Sequence, residues 1–422
     1  MLDIKFIREN KDIVAAAVQK KHVKFDVDQL IALDDSRRSL MSELEGKRAK
    51  QNAANEGITK AASPEERTKL IADMKALKVD MEAGETKLKD IMKEWQDLML
   101  RVPNVPDMSV PDGNTEADNK EFKVWGDKTA FAFAPKDHVE LMTALDMVDF
   151  ERGGKVHGFR GYYLTGDGVR LCFAIWQYAL EFFSGKNFVP IMPPTIVRKI
   201  NLYGTAHLPG DVEDFYMTQD GDALAGTAEV PLMGMYAEEV LPVESLPKRY
   251  LGFSACYRRE AGAHGKDVRG LIRVHEFYKF EQLVICEANH ETSVKYHEEL
   301  NRNTEEFIES LGIPYHTVIN CGGDLGLGQV KKYDIELWVP KEGKYREISS
   351  ASYFHDFQCR RLNIRYKDSE GKMRYAHSLN STAIPTPRIL VSLIENFQQA
   401  DGSIKIPPVL VKYMGKSVIS KQ

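Results

Sequence analysis

From Leu70 to Leu98 the apolar residues recur at alternating steps of four and three: Leu70, Met74, Leu77, Met81, Leu88, Ile91, Trp95 and Leu98, with Gly84 as the one break. Steps of this kind draw one apolar line along a helix, the seam of a coiled coil. A weaker seam precedes it, through Leu30, Leu33, Arg37, Leu40, Leu44, Lys47 and Gln51. Between the seams stand Asn55-Glu56-Gly57 and then Ser63-Pro64-Glu65-Glu66. The glycine stops one helix; Ser as N-cap, Pro at the first helical position and acids in the first turn open the next. The pattern predicts an antiparallel helical hairpin over about residues 28–100. At 1.5 Å per residue its helices reach roughly 40 to 50 Å, well beyond the needs of a compact domain.

Heptads of this kind also serve dimerising coiled coils and bundles. Here, however, Arg37, Lys47 and Gln51 interrupt the first seam, and Arg48, Lys50, Lys60, Arg67 and Lys69 gather toward the tip. A stiff lever with a polar, basic tip suits phosphate contact at a distance. The run Arg101-Val102-Pro103-Asn104-Val105-Pro106-Asp107 and the Pro/Asp/Gly-rich residues after it cannot continue a helix. The expected domains are therefore 1–102, a linker 103–124, and 125–422. Beyond about residue 125 helical signals mix with strands rich in aromatic and β-branched residues, which reads as α+β with an antiparallel sheet.

Composition narrows the class. A chain of 422 residues with 43% hydrophobic content can bury more than one core. No stretch approaches the roughly 18 uncharged residues of a membrane span, and the N-terminus lacks a secretory pattern. Cytoplasmic residence and no membrane partner are the expectations. The cysteines Cys172, Cys256, Cys286, Cys321 and Cys359 are scattered without a Cys-x-x-Cys pair, which fits idle thiols in a reducing compartment. A net charge of −5 argues against coating nucleic acid over the whole surface. Any RNA contact is local.

Three stretches carry candidate chemistry. The first is a helix followed by a Pro-rich strand, Gly185 to Pro194, unremarkable alone. The second runs from Phe253 through Arg258-Arg259-Glu260, across a basic, Gly-containing loop with His264, Lys266 and Arg269, to Arg273 and on through Phe277 to Glu281. It reads as strand, loop, strand: an arginine that can grip a phosphate bidentately and an aromatic that can stack a purine. Charge pairing across an exposed hairpin is the plainer alternative. The third leads from Ala376 to Arg388 and into an amphipathic helix. An arginine at a strand-to-helix junction attracts an anion, or merely caps the helix.

Together, in this order, the three stretches resemble the signature motifs of class II aminoacyl-tRNA synthetases. Gly226-Thr227-Ala228-Glu229-Val230-Pro231 and Glu347-Ile348-Ser349-Ser350 resemble the serine- and ATP-binding signatures of the seryl-tRNA synthetase family, and the hairpin resembles its N-terminal arm. The resemblance implies a class II catalytic domain with flanking helices, ATP and L-serine as substrates, Mg²⁺, a homodimer, and tRNA-Ser as acceptor, with tRNA-Sec as a further candidate.

It also implies roles. Arg258 holds the α-phosphate and the substrate carboxylate, with Glu260 on the adenine side, Phe277 stacked on the base, Arg388 on the γ-phosphate and Arg259 also binding ATP. Glu347 and Ser350 ligate Mg²⁺, with Ile348 and Ser349 beside the nucleotide. Glu281, Asn380 and Thr382 meet the amino acid, and Thr227, Ala228 and Glu229 close over it. Arg37, Lys47, Arg48, Lys50, Lys60 and Lys69 face tRNA. Departures from the family pattern fall at Ala225-Gly226, at Tyr353 and at Ile384-Pro385-Thr386-Pro387. The competing reading, a catalytically silent paralogue that binds tRNA as a regulator, predicts loss of Arg258, Glu281 or Arg388, and all three are present.

Overall fold

A computed structural model describes the chain except residues 62, 211, 263, 264, 266 and 422 and the side chains of Lys60 and Glu66. His264, Lys266 and the Lys60 side chain, singled out above, therefore lie outside the described residues. Two compact units result: Leu2–Gln19 with Val23–Pro103, and Asn104–Gln422 with Met1 and Lys20–His22.

In the smaller unit, helices α1 (Val27–Lys60) and α2 (Pro64–Arg101) form the hairpin. Asp26 caps α1 by accepting from the Gln29 amide at 3.1 Å. The Ser63 carbonyl takes the first intrahelical bond of α2, from Arg67 N at 3.1 Å. The pairing is antiparallel: Arg37 lies over the Trp95 ring at 4.7 Å, and Arg48 reaches Glu85 at 2.9 Å. A Cβ at Gly84 would lie 2.9 Å from Leu44 Cδ2, so the break in the second seam is the hole that receives a buried leucine of the first. Two of the polar seam positions are satisfied within the hairpin. Arg37 also pairs with the buried Asp34 at 2.7 Å, and Lys47 pairs with Glu43 and Asp80, both at 2.6 Å.

The larger unit is built on an eight-stranded sheet. Its strands are β1 (Lys120–Trp125), β2 (Val189–Ile191), β3 (Lys248–Tyr257), β4 (Glu276–Cys286), β5 (Tyr315–Ile319), β6 (Lys331–Val339), β7 (Lys344–Tyr353) and β8 (His377–Thr386). Their spatial order is β1-β5-β6-β7-β8-β4-β3-β2, antiparallel throughout except for the β2–β3 pair. Three helices matter for the site: α3 (Gly166–Ser184), α4 (His290–Leu311) and α5 (Arg388–Asn396). Asn289 caps α4 by accepting from Thr292 N at 2.8 Å, and Gly312 ends it in the left-handed region at φ 74°. Between its ends α4 buries Leu300, Phe307, Ile308 and Leu311 in the main core. Asn104 fixes the start of the unit by donating to the carbonyls of Gly328 and Phe354 at 3.0 and 2.8 Å. No helix among the described residues is long and apolar enough to cross a membrane.

His297 of α4 is buried, its ring stacked on Tyr333 at 4.8 Å and its Nε2 2.9 Å from the Ala351 carbonyl. Burial lowers its pKa to about 4. Because the folded value lies below the unfolded value of about 6.5, the stability this ring contributes is full above pH 6.5 and is lost as pH falls toward 4. Urea titrations across that window should show stability declining with acidification, and His297→Gln should flatten the decline.

Candidate active site

β3 and β4 pair in register from Lys248↔Ile285 to Tyr257↔Glu276, which sets Arg258 just past one strand end and Phe277 near the start of the other. The Arg258 guanidinium lies over the Phe277 ring at 5.4 Å, and its Nε donates to the Gly226 carbonyl at 3.3 Å. Opposite, Arg388 opens α5 directly after β8; it donates to the carbonyls of Ile272 at 2.9 Å and Glu347 at 3.1 Å. Burial, more than any neighbouring charge, lowers the Arg388 pKa. These bonds occupy part of each guanidinium fork and aim the remainder into one cleft of about 220 Å³. Glu260, Ile348, Glu347 and Ser350 line the same cleft.

A local irregularity in the sheet brings Glu347 and Ser350 together. Residues three apart on a regular strand face opposite sides. Between β6 and β7 the register runs Glu336↔Glu347 and then Ile335↔Ser349, so Ile348 is an extra residue and the ladder bulges there. The bulge turns Ser350 onto the side of Glu347. A second bulge separates Thr382↔Glu281 from Ile384↔Phe280 on the β8–β4 ladder.

At the inner end of the cleft sits a buried polar cluster. Lys279 and Glu281, two apart on β4, point to one face and form an ion pair. The Thr227 hydroxyl donates to Glu281 Oε2 at 3.1 Å, and Lys279 Nζ donates to Thr227 Oγ1 at 2.9 Å and to Thr382 Oγ1 at 3.4 Å. Two buried charges are tolerable only with this degree of pairing and hydrogen bonding. Glu229 lies behind them, accepting from Gln358 Nε2 at 2.6 Å and from the Asn380 side chain. Burial first, and the Glu281 charge second, push the Glu229 carboxyl up to about 7.

The loop that carries Thr227 reaches the sheet because β3 has a glycine under it. A Cβ at Gly252 would come within 2.8 Å of Leu232 Cδ1 and 2.9 Å of Ala228 Cβ.

The structure thus brings Arg258, Glu260, Phe277, Glu347, Ile348, Ser350, Thr382 and Arg388 to one cleft, with Thr227 and Glu281 at its inner end. Other expected site residues stand apart from it. Arg259 is exposed and lines a neighbouring depression, Ala228 packs into a hydrophobic cluster, and Ser349 turns away to donate to the Thr382 carbonyl. Sequence reading missed Lys279, Leu271, Ile272 and Val274, which also line the cleft. The alternation Phe277-Lys279-Glu281 held the signal for Lys279, because period two puts it on one face with two chosen residues. On the hairpin, Arg48, Lys50 and Lys69 are exposed, while Arg37 and Lys47 are half-buried in their ion pairs.

Comparison with known proteins gives two matching family models: the seryl-tRNA synthetase N-terminal domain over residues 1–106, and the tRNA synthetase class II core domain (G, H, P, S and T) over residues 215–397. The chain is 46% identical to the serine–tRNA ligase of Deinococcus radiodurans, over 98% of either chain. It is 40% identical to that of Thermodesulfovibrio yellowstonii, over 99% of this chain and 100% of the relative. Among solved structures, seryl-tRNA synthetase from Pyrococcus horikoshii complexed with ATP superposes with a TM-score of 0.93 at 38% identity, covering 100% of both chains. The cytoplasmic serine-tRNA ligase of Naegleria fowleri in complex with AMP gives 0.87 at 31%, over 100% of this chain and 99% of that one.

Gly252→Val should force the 226–234 segment off β3. Overpacking of this kind costs about 1–3 kcal/mol. A lowered melting temperature, with amide exchange accelerated at 226–229 and unchanged on α4, is the expected result.

Proposed function

The chain belongs to the seryl-tRNA synthetase family, and on that premise we propose how its residues divide a two-step reaction. The protein is a serine–tRNA ligase: it activates serine with ATP to the adenylate and transfers the seryl group to tRNA. The observation that carries the assignment of roles is the single cleft in which Arg258, Arg388 and Glu347 meet and which ends on the Lys279–Glu281–Thr227–Thr382 cluster.

Activation is an attack by the serine carboxylate on the α-phosphorus of ATP, with pyrophosphate leaving. No side chain needs to become covalently attached. What the protein supplies is alignment and charge neutralisation. Arg258 draws the carboxylate and the α-phosphate together, Phe277 stacks the adenine, and Arg388 holds the γ-phosphate end. Both guanidiniums are already tethered by backbone carbonyls, so little freedom is lost when the anion arrives.

Glu347 and Ser350 are hard oxygen donors, which suits Mg²⁺. Among the described residues no three His, Cys, Asp or Glu side chains cluster for a metal, so the phosphates themselves would have to complete the shell. When bound there, the ion would offset charge on the phosphate oxygens.

Serine occupies the buried cluster. Its ammonium adds a second cation beside Glu281, which is paired with Lys279, and its hydroxyl meets Glu281 and Thr382. An analogue without the hydroxyl leaves those groups buried and unpaired.

The second substrate is recognised at a distance, with Arg48, Lys50 and Lys69 of the hairpin supplying exposed cations for tRNA phosphates. A homodimer is supported by α3, whose Val169, Phe173 and Leu180 form an exposed stripe at helical spacing, and by exposed Val189 and Met192 on and after β2. The cytoplasm is the expected compartment, in keeping with cysteines that are free and buried.

Serine-dependent exchange of pyrophosphate into ATP tests the substrate assignment. It should exceed alanine-dependent exchange by about 10⁴ or more in kcat/KM, and equal rates would overturn the assignment. Replacing Val27–Leu100 by a short Gly/Ser linker should leave serine-dependent exchange near its original rate and reduce tRNA charging severely. Loss of both activities together, in a chain that still melts cooperatively, would refute the division of labour.

A further inference from the structure

Arg258 has a second side. There, with Thr227, it walls another cavity, of about 400 Å³, whose lining includes His207, Asp214, Phe215, Gln329 and Lys332. Its floor is held firmly: the buried Lys21 ammonium donates to the carbonyls of Gly326 and Leu327 at 3.0 Å and of Gln329 at 2.5 Å. Arg258 and Lys332 bring cations to the cavity and Asp214 an anion, with Lys332 itself 3.2 Å from Asp334 and 3.7 Å from Asp324.

The hydrogen bonds of His207 fix its tautomer. Its Nδ1 lies 2.8 Å from Thr205 Oγ1, and that hydroxyl spends its one hydrogen on the Asn201 carbonyl at 3.0 Å. Thr205 must therefore accept from an Nδ1–H, which leaves Nε2 with a lone pair. No described residue bonds Nε2. The ring stands edge-on to Phe215, with centroids 5.8 Å apart, and has little room to turn.

A nucleotide fills the first cleft during activation, so an acceptor for the acyl group needs another way to the carbonyl carbon. The second cavity opens onto the same Arg258 from the other side. We propose that it receives the terminal nucleotide of the tRNA, and that His207 Nε2 takes the proton of the attacking ribose hydroxyl. The inference rests on the synthetase reading above.

In this step the ribose oxygen bonds to the carbonyl carbon, the acyl–phosphate bond breaks, and its electron pair leaves with AMP. The hydroxyl proton passes to Nε2, and the imidazolium then releases it to water. The order of the two steps is built in. Burial, then the charges of Arg258 and Lys279, lower the imidazole pKa to about 4. A phosphate held at Arg258 offsets one of those charges, so the ring becomes a better base once adenylate is in place.

The test separates the steps in the full-length protein. His207→Ala and His207→Gln are compared with the original chain in serine-dependent pyrophosphate exchange and in single-turnover transfer from preformed seryl-adenylate to tRNA. Glutamine can accept the hydrogen bond but cannot take up the proton. Exchange should stay within about twofold, while transfer falls by about 10² or more in both variants, the range for loss of a general base. Unchanged transfer in either folded variant overturns the proposal, and so does an equal fall in both steps. If neither variant folds, the unsubstituted protein decides. Its single-turnover transfer rate must rise with pH through an acidic ionisation that exchange lacks, and a flat profile overturns the proposal. Absence of serine-dependent exchange in the unsubstituted protein would instead strike the parent reading.

Discussion

An ammonium and a carboxylate buried side by side on one strand are expensive, and much of the catalytic unit is arranged to keep Lys279 and Glu281 there. Removing a partner from such a pair costs about 3–5 kcal/mol, because the remaining charge stays in a dry site. Thr227 and Thr382 converge on the pair from separate segments, and Glu229, Gln358 and Asn380 form a further layer of hydrogen bonds behind it. This pair explains why the glycine at 252 is needed and why a small buried loop crosses β3.

The two arginines work by the opposite logic. Among the described residues neither forms an ion pair with a carboxylate; each is tethered instead by backbone carbonyls, which orient a guanidinium without neutralising it. An anion arriving in the cleft therefore meets full charge on pre-aimed donors. Where the protein does want charge neutralised, as at Lys47 with Glu43 and Asp80, it places carboxylates within direct reach.

The two cavities meet at Arg258. One is walled by Arg258, Phe277 and Arg388; the other includes His207, whose Nε2 no described residue bonds. On the roles proposed above, the shared guanidinium links the phosphate of the first substrate to the basicity of His207.

The sequence by itself determined the hairpin, the α+β class of the remainder and the identity of most groups in the cleft, because these rest on local regularities: heptad spacing, cap residues and motifs that keep their order. It could not supply what depends on register. Glu347 and Ser350 share a face only because Ile348 bulges from the ladder, and no pattern in the four residues announces that bulge. Gly84 read as a flaw in the seam until Leu44 was found in the space it leaves. Arg37 and Lys47 read as free cations although Asp34 and Glu43 stand one turn away on the same helix; Trp95 and Asp80, which complete their surroundings, lie on the other helix. Lys279 was passed over between two chosen neighbours, and His207 gave no signal, since its role depends on a cavity assembled from four distant segments. Local periodicity is written in neighbouring residues; the pairing of charges and the shape of cavities are decided by which distant segments the sheet brings together.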